Sequence, residues 1–281
     1  MTGGETPGSS AATGAAAGTV GGAAPSRAAA VSRRTFLLGG LAVVAGASLP
    51  GQVAGVPWGA GDPFTLGIAS GDPWPTGVVV WTRLVPQPLA DDGRGGMPRR
   101  TVPVDWQVAS DPGFRRVVRS GTAAAVPERA HAVHVEVDGL APGAEYFYRF
   151  RVGPYLSPAG RTRTAPGPLV TPAARLAVAS CANFANGWYT AYRRIAEEDP
   201  DLVLFLGDYI YEYAASPGDV RQVLGPVAST LDTYRFRYSQ YKRDPDLRAA
   251  HEVAPWVVTL DDHEVQNDWA ARRSGSRLYW L

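Results

Sequence analysis

The chain has 281 residues, with 27 Lys+Arg against 26 Asp+Glu for a formal charge of +1, 45% hydrophobic residues and one cysteine. The length leaves room for two ordinary domains of about 150 residues, near-neutrality argues against a polyanion-binding surface as the main function, and a lone cysteine excludes an intrachain disulfide. Glycine (32) and proline (24) are abundant and Lys242 is the only lysine, a loop-rich, arginine-rich composition.

Residues 2–30 are mostly Gly, Ala, Ser and Thr. They cannot bury enough apolar surface to offset chain entropy and read as a disordered leader. Ser32-Arg33-Arg34-Thr35-Phe36-Leu37 then opens an apolar run to Leu49. A twin arginine before a Gly/Ala-diluted apolar stretch resembles a Tat export signal. Leu38 stands where that motif usually carries lysine. The run is shorter than the about 20 residues of a membrane span, so no stable span is expected. The other readings are an N-terminal anchor or a chance Arg-Arg pair. The Tat reading makes residues 1–54 a leader cleaved after Ala47 or Ala54. It makes the Tat translocase a partner and sends the protein to an extracellular, periplasmic or cell-wall location.

Residues 62–165 read as β. Gly77-Val78-Val79-Val80-Trp81-Thr82 is a β-branched and aromatic run. Val104, Trp106 and Val108 alternate with Asp105 and Gln107, and Val133, Val135 and Val137 share one face. His131 and His134 fall on or near that last strand as half-exposed residues. The turn Leu140–Gly143 leads into the aromatic strand Glu145–Phe150, which resembles the tyrosine-corner region of fibronectin-type sandwiches, with Tyr146 as the corner residue. The expectation is an all-β Ig/fibronectin-like sandwich, with the Pro/Gly-rich stretch 154–172 as the interdomain connection.

From Arg175 the period changes. Leu176–Ala179, Leu202–Leu206 and Trp256–Leu260 are continuous apolar runs, read as strands buried on both faces of a mainly parallel sheet. Helix is predicted from Asn186 or Gly187, with Tyr189, Tyr192 and Ile195 at helical spacing, and again within 231–250. Each strand ends in metal-binding side chains: Cys181 after the first, Asp208 with Tyr211 after the second, Asp262 with His263 after the third. Sites in open α/β sheets lie beyond the carboxyl ends of the strands. Thiolate and phenolate suit a strongly Lewis-acidic ion such as ferric iron, while carboxylates and amides suit Ca²⁺, Mg²⁺ or Mn²⁺. Each residue alone has a plainer reading. Asp208 could cap a helix, Cys181 fill a core gap, Tyr211 pack, and His263 be a structural hydrogen-bonder.

Taken together, Ser180-Cys181, Gly207-Asp208-Tyr209-Ile210-Tyr211-Glu212 and Asp261-Asp262-His263-Glu264-Val265 resemble the alkaline phosphatase D (PhoD-type) family of metallophosphoesterases. The likeness runs from about Asp62 to about Trp269. Phe64-Thr65-Leu66-Gly67-Ile68-Ala69-Ser70-Gly71-Asp72-Pro73 looks like the start of that family's N-terminal domain. The resemblance implies a β-sandwich followed by an α/β/β/α metallophosphoesterase domain that is partial here, over residues 173–281. It implies a secreted enzyme that hydrolyses phosphate mono- and diesters, with Fe³⁺ and Ca²⁺ as cofactors. By the same likeness Cys181 ligates iron, Asp208 bridges the two metals and Tyr211 completes the iron shell. Asp262 or Asn267 binds the second metal, and His263 serves near the leaving oxygen. A metal lowers the pKa of bound water to about 7 in the best cases, and a histidine can protonate a leaving alkoxide.

The family pattern continues into a Gly-Asp-x-His-type motif, and no histidine follows His263. The expectation is a truncated catalytic domain with uncovered apolar strand surface and weak or no phosphatase activity. The competing readings are a non-catalytic product whose sandwich is an interaction module, and a phospholipase D-like phosphodiesterase. Nothing points to nucleic-acid recognition beyond a phosphodiester substrate.

Overall fold

The computed structural model describes residues 61–170 and 172–269. The leader, the twin-arginine motif and the tail from Ala270 lie outside the described residues. The elements are β1 (Ile68–Trp74), β2 (Gly77–Arg83), β3 (Val102–Ala109), β4 (Val117–Ala125), β5 (Ala132–Asp138), β6 (Glu145–Val152), β7 (Tyr155–Leu156), β8 (Gly160–Arg163), β9 (Leu176–Ala179), α1 (Thr190–Glu198), β10 (Leu202–Leu206), α2 (Leu231–Lys242), α3 (Pro245–Val253) and β11 (Pro255–Thr259). Short 3-10 turns sit at Pro127–Arg129 and Asp262–Glu264.

Two sheets result. The first runs β5-β2-β1-β11-β10-β9, and the second runs β4-β3-β6-β7, with β8 also on β6. The first sheet is mixed: β5, β2 and β1 are antiparallel, whereas β1, β11, β10 and β9 pair in parallel. Ser70 and Gly71 of β1 stand opposite Pro255 and Trp256 of β11, so this sheet crosses from the first sequence segment into the second. Between the two sheets Ile68, Val78, Val80, Val133 and Val137 meet Val104, Val108, Tyr148 and Phe150. Every second residue of a strand shares a face, and that period aims these side chains at one core. Tyr146 makes its corner: its hydroxyl accepts a hydrogen bond from the Ala141 N–H at 2.9 Å.

Three expectations need correction. His131 is fully buried rather than half-exposed. It precedes β5 at φ 58°, next to Ala130 at φ 51°, and this double left-handed turn folds the ring inward to meet the Arg100 carbonyl at 3.0 Å; His134 on β5 is exposed. The stretch 154–172 is not all linker, because β8 within it pairs with β6. Gly160 permits this, since a Cβ there would lie 2.6 Å from the Tyr148 ring. The helix predicted from Asn186 begins at Thr190, because the Tyr189 hydroxyl donates to the Ala182 carbonyl at 2.6 Å and holds that residue outside the helix.

α1 and α3 cover one face of the parallel strands. Trp256 stacks there on Tyr192, Phe205 and His251. α2 is capped by Thr230, and α3 by Asp244 with Pro245 in its first turn, which satisfies amides a helix start otherwise leaves unpaired. On the opposite face of these strands, among the described residues, Leu176, Val178 and Leu206 are each more than half exposed.

Candidate metal centre

β9, β10 and β11 are adjacent and parallel, so their carboxyl ends share one edge of the sheet. The loops leaving that edge are tied together by backbone. The Cys181 N–H donates to the Gly207 carbonyl at 3.1 Å, and the Ala182 N–H to the Asp208 carbonyl at 2.8 Å. Gly207 has φ 92°, and a Cβ on it would sit 2.5 Å from the Asp261 Cβ, so glycine lets the β10 and β11 loops touch. Cys181 (φ 56°) and Asp208 (φ 57°) are both left-handed. For non-glycine residues that costs roughly 1–3 kcal/mol each and clusters at functional sites.

Asp208, Asp262 and His263 place one ligand atom each within 4.8 Å of one another. Tyr211 joins them, its hydroxyl donating to Asp208 Oδ2 at 3.0 Å. Burial, then the hydrogen bond and charge of Asp208 and the neighbouring Cys181, push the Tyr211 phenol well up. The His263 N–H lies 3.4 Å from Asp208 Oδ1. Cys181 is exposed and so fills no core gap, and among the described residues no helix starts directly after Asp208 for it to cap. Asp262 accepts the Asp268 N–H. The Asn267 side-chain amide donates to Asp268 at 2.8 Å.

Four further residues shape the site. Glu212, buried, accepts the His263 Nδ1–H at 2.8 Å and the Asn267 N–H at 2.8 Å. Burial alone would lower the His263 imidazolium; the Glu212 bond and charge, with Asp208 and Asp262, outweigh it and the net shift is upward. Tyr211 and Tyr213 flank the imidazole at 4.1 and 5.3 Å between ring centres. Glu264 accepts the backbone N–H of Asp208 at 3.1 Å, of Asp261 at 2.8 Å, and of Tyr209. Arg237 donates to the carbonyls of Tyr211, Tyr213 and Pro226, which fixes the loop after β10. The signal for Glu264 was present in the sequence. Asp261 and Glu264 form the reciprocal cap of the 3-10 turn, a D-x-x-E spacing. Nothing local marks Arg237, whose partners are three carbonyls of the loop between β10 and α2.

The donor set suits a metal. Two carboxylates and an imidazole meet, with a phenol and a thiol beside them; burial first, then the bond and charge of Asp208 and Cys181, raise Tyr211, and a cation would offset the charge part.

Two family models match the chain: "PhoD-like phosphatase, N-terminal domain" over residues 52–166 and "PhoD-like phosphatase" over residues 176–278. Alkaline phosphatase D of Bacillus subtilis (strain 168) is 52% identical over 214 residues, covering 74% of this chain and 36% of that protein. A solved structure of PhoD superposes with a TM-score of 0.73 at 51% identity, covering 76% of this chain and 42% of the other. The chain therefore spans well under half the length of the relatives it matches. It shares with that solved structure a build of mixed sheets and few helices, and it belongs to the PhoD-like phosphatase family.

Proposed function

We propose that the chain carries the metal centre of a phosphoester hydrolase acting on phosphate mono- and diesters, exported on the Tat-like motif at Ser32–Leu37. In this reading residues 62–165 are an Ig/fibronectin-like sandwich and residues 173–281 a partial α/β metallophosphoesterase domain. The observation that carries it is the meeting of Asp208, Asp262 and His263 at the ends of adjacent parallel strands, with Tyr211 on Asp208. Fe³⁺ and Ca²⁺ are the proposed cofactors. Cys181, Asp208 and Tyr211 would hold the iron, while Asp208 with Asp262 or Asn267 would hold the second ion. When bound, such ions supply Lewis acidity, neutralising charge at phosphorus and making water a better nucleophile.

The chain's own residues do the rest. Glu212 accepts a hydrogen bond from Nδ1–H of His263 and its charge favours the imidazolium, whose second proton, on Nε2, is the one delivered to the departing oxygen. The flanking tyrosine rings limit rotation of the imidazole. Glu264 holds the backbone around Asp208, so its carboxylate is placed before any ligand arrives. The test compares the chain with Asp208→Asn after incubation with Fe³⁺ and Ca²⁺. Metal content is read by emission spectroscopy, and hydrolysis on p-nitrophenyl phosphate and its bis ester. Bound metal in the unaltered chain and its loss in D208N support the reading; a D208N protein that keeps metal and turnover breaks it.

A further inference from the structure

A second cavity, on the helix side of the first sheet, is not used by this chemistry. It lies between α2 and the face of β1 and β2 that points away from the second sheet, and encloses about 280 Å³. Its wall is apolar and aromatic: Trp81 from β2, Tyr238 from α2, and Trp256, Val258 and Leu260 along β11. Lys242, the only lysine of the chain, closes one side. Its Nζ stands 4.4 Å from the centre of the Trp81 ring and 5.3 Å from that of Tyr209. Among the described residues no carboxylate or carbonyl partners it.

The other charges in the lining are mostly committed. Arg83 is held by the carbonyls of Ala130, Gly93 and Arg235 and by Ser239. Glu264 is held by its three amides. Exposed Arg129, His134 and Asp72 lie among the remaining lining residues. His251, 6% exposed, offers Nε2 to Tyr209 while its Nδ1 has no partner. Burial pushes the Lys242 ammonium down to about 7. Lys242 is half-buried, and a partly desolvated ammonium with no counter-charge beside it is compensated only in part by ring faces.

We propose that this cavity binds a small organic monoanion, a carboxylate on an aromatic or branched aliphatic body, with Lys242 as its counter-ion. The walls accept the apolar body, and Lys242 stands against its two ring faces as the cation for the carboxylate, with exposed Arg129 as a further lining residue. A phosphate dianion has no apolar body for these walls and would face the carboxylates of Glu264 and Asp72.

A lone lysine makes the test clean. Acetic anhydride labels Lys242 and the chain's α-amine, and peptide mass spectrometry separates them. Phenylacetate or isovalerate at about ten times its dissociation constant should slow Lys242 labelling about tenfold, by simple occupancy. The α-amine rate should not change, and inorganic phosphate should not protect. Calorimetry should show binding lost in Lys242→Met, with melting unchanged or raised. The proposal is overturned if neither acid protects Lys242, if phosphate protects equally, or if K242M binds the acid undiminished. Protection is measured on the unaltered chain, so it decides the matter even if K242M fails to fold.

Discussion

Removing Glu264 tests whether the site is held by one carboxylate. Glu264 is 7% exposed and accepts from three backbone amides, those of Asp208, Tyr209 and Asp261. A hydrogen bond to a charged group contributes about 1.5–3 kcal/mol net, which for three bonds sets a high upper bound. Two effects reduce it. Water can enter the space left by truncation. The carboxyl also resists ionisation: burial, the largest cause, and Asp208 raise it, and the amides only partly oppose them. Glu264→Ala should therefore cost about 3–5 kcal/mol, a fall in Tm of about 10 °C at about 2–4 °C per kcal/mol for a domain of this size. Glu264→Gln keeps an oxygen for two amides but turns an NH₂ toward the third, and should fall between. The pH dependence has a definite sign. A carboxyl raised on folding stabilises most below its unfolded pKa and loses that contribution as pH rises through its folded pKa. The margin of the unaltered protein over E264A should therefore narrow as pH increases. Thermal melts of metal-free protein across pH measure both effects. An E264A protein that melts within 2 °C of the parent, on the order of the scale above, refutes the staple.

Glu252 offers a pH effect remote from the site. Burial raises it to about 7 against the opposing charge of Arg248, so its ionisation should cost stability as pH rises from below 5 through about 7. Glu252→Gln should match the parent at acid pH and exceed it by about 2 kcal/mol at alkaline pH; equal urea midpoints at both ends would contradict this. Gly207→Ala forces a Cβ against Asp261 at a left-handed position and should destabilise by more than about 1 kcal/mol while lowering metal retention; a neutral melt and unchanged metal would show that the loops do not need that contact. Glu212→Gln removes the charge that raises His263, so the imidazole should titrate lower in metal-free protein by NMR; an unmoved titration would assign the shift to the aspartates.

The three strand-end clusters were legible because each follows a continuous apolar run, and parallel pairing then brings the ends together whatever the intervening loops do. Cys181, Asp208, Tyr211, Asp262 and His263 all reach the same edge. Which atom Asn267 offers depends on side-chain direction, which sequence does not carry; in the structure its NH₂ donates to Asp268. Glu212 and Glu264 act through bonds to residues that the motifs already contained, so they were visible as letters but not as partners. His131 was misread because alternation predicts burial only inside a strand, and it lies one residue before β5 in a left-handed turn. The cavity at Lys242 was beyond reach, since it takes walls from β1, β2, β11 and α2 and exists only once they assemble.

The pairing of β1 with β11 bears on how the chain reaches its fold. These strands are separated by nearly the whole described sequence, yet Ser70 and Gly71 find their ladder partners at Pro255 and Trp256. During synthesis β1 has β2 on one side and a bare edge on the other until β11 emerges. An unpaired edge is a template for association with other chains, and contacts this distant in sequence form late. The N-terminal segment is thus a poor free-standing module, because cutting it loose would leave that edge permanently open. Its last strand partner is the one that also delivers Asp262 and His263, so completing the sheet and assembling the site are a single folding event.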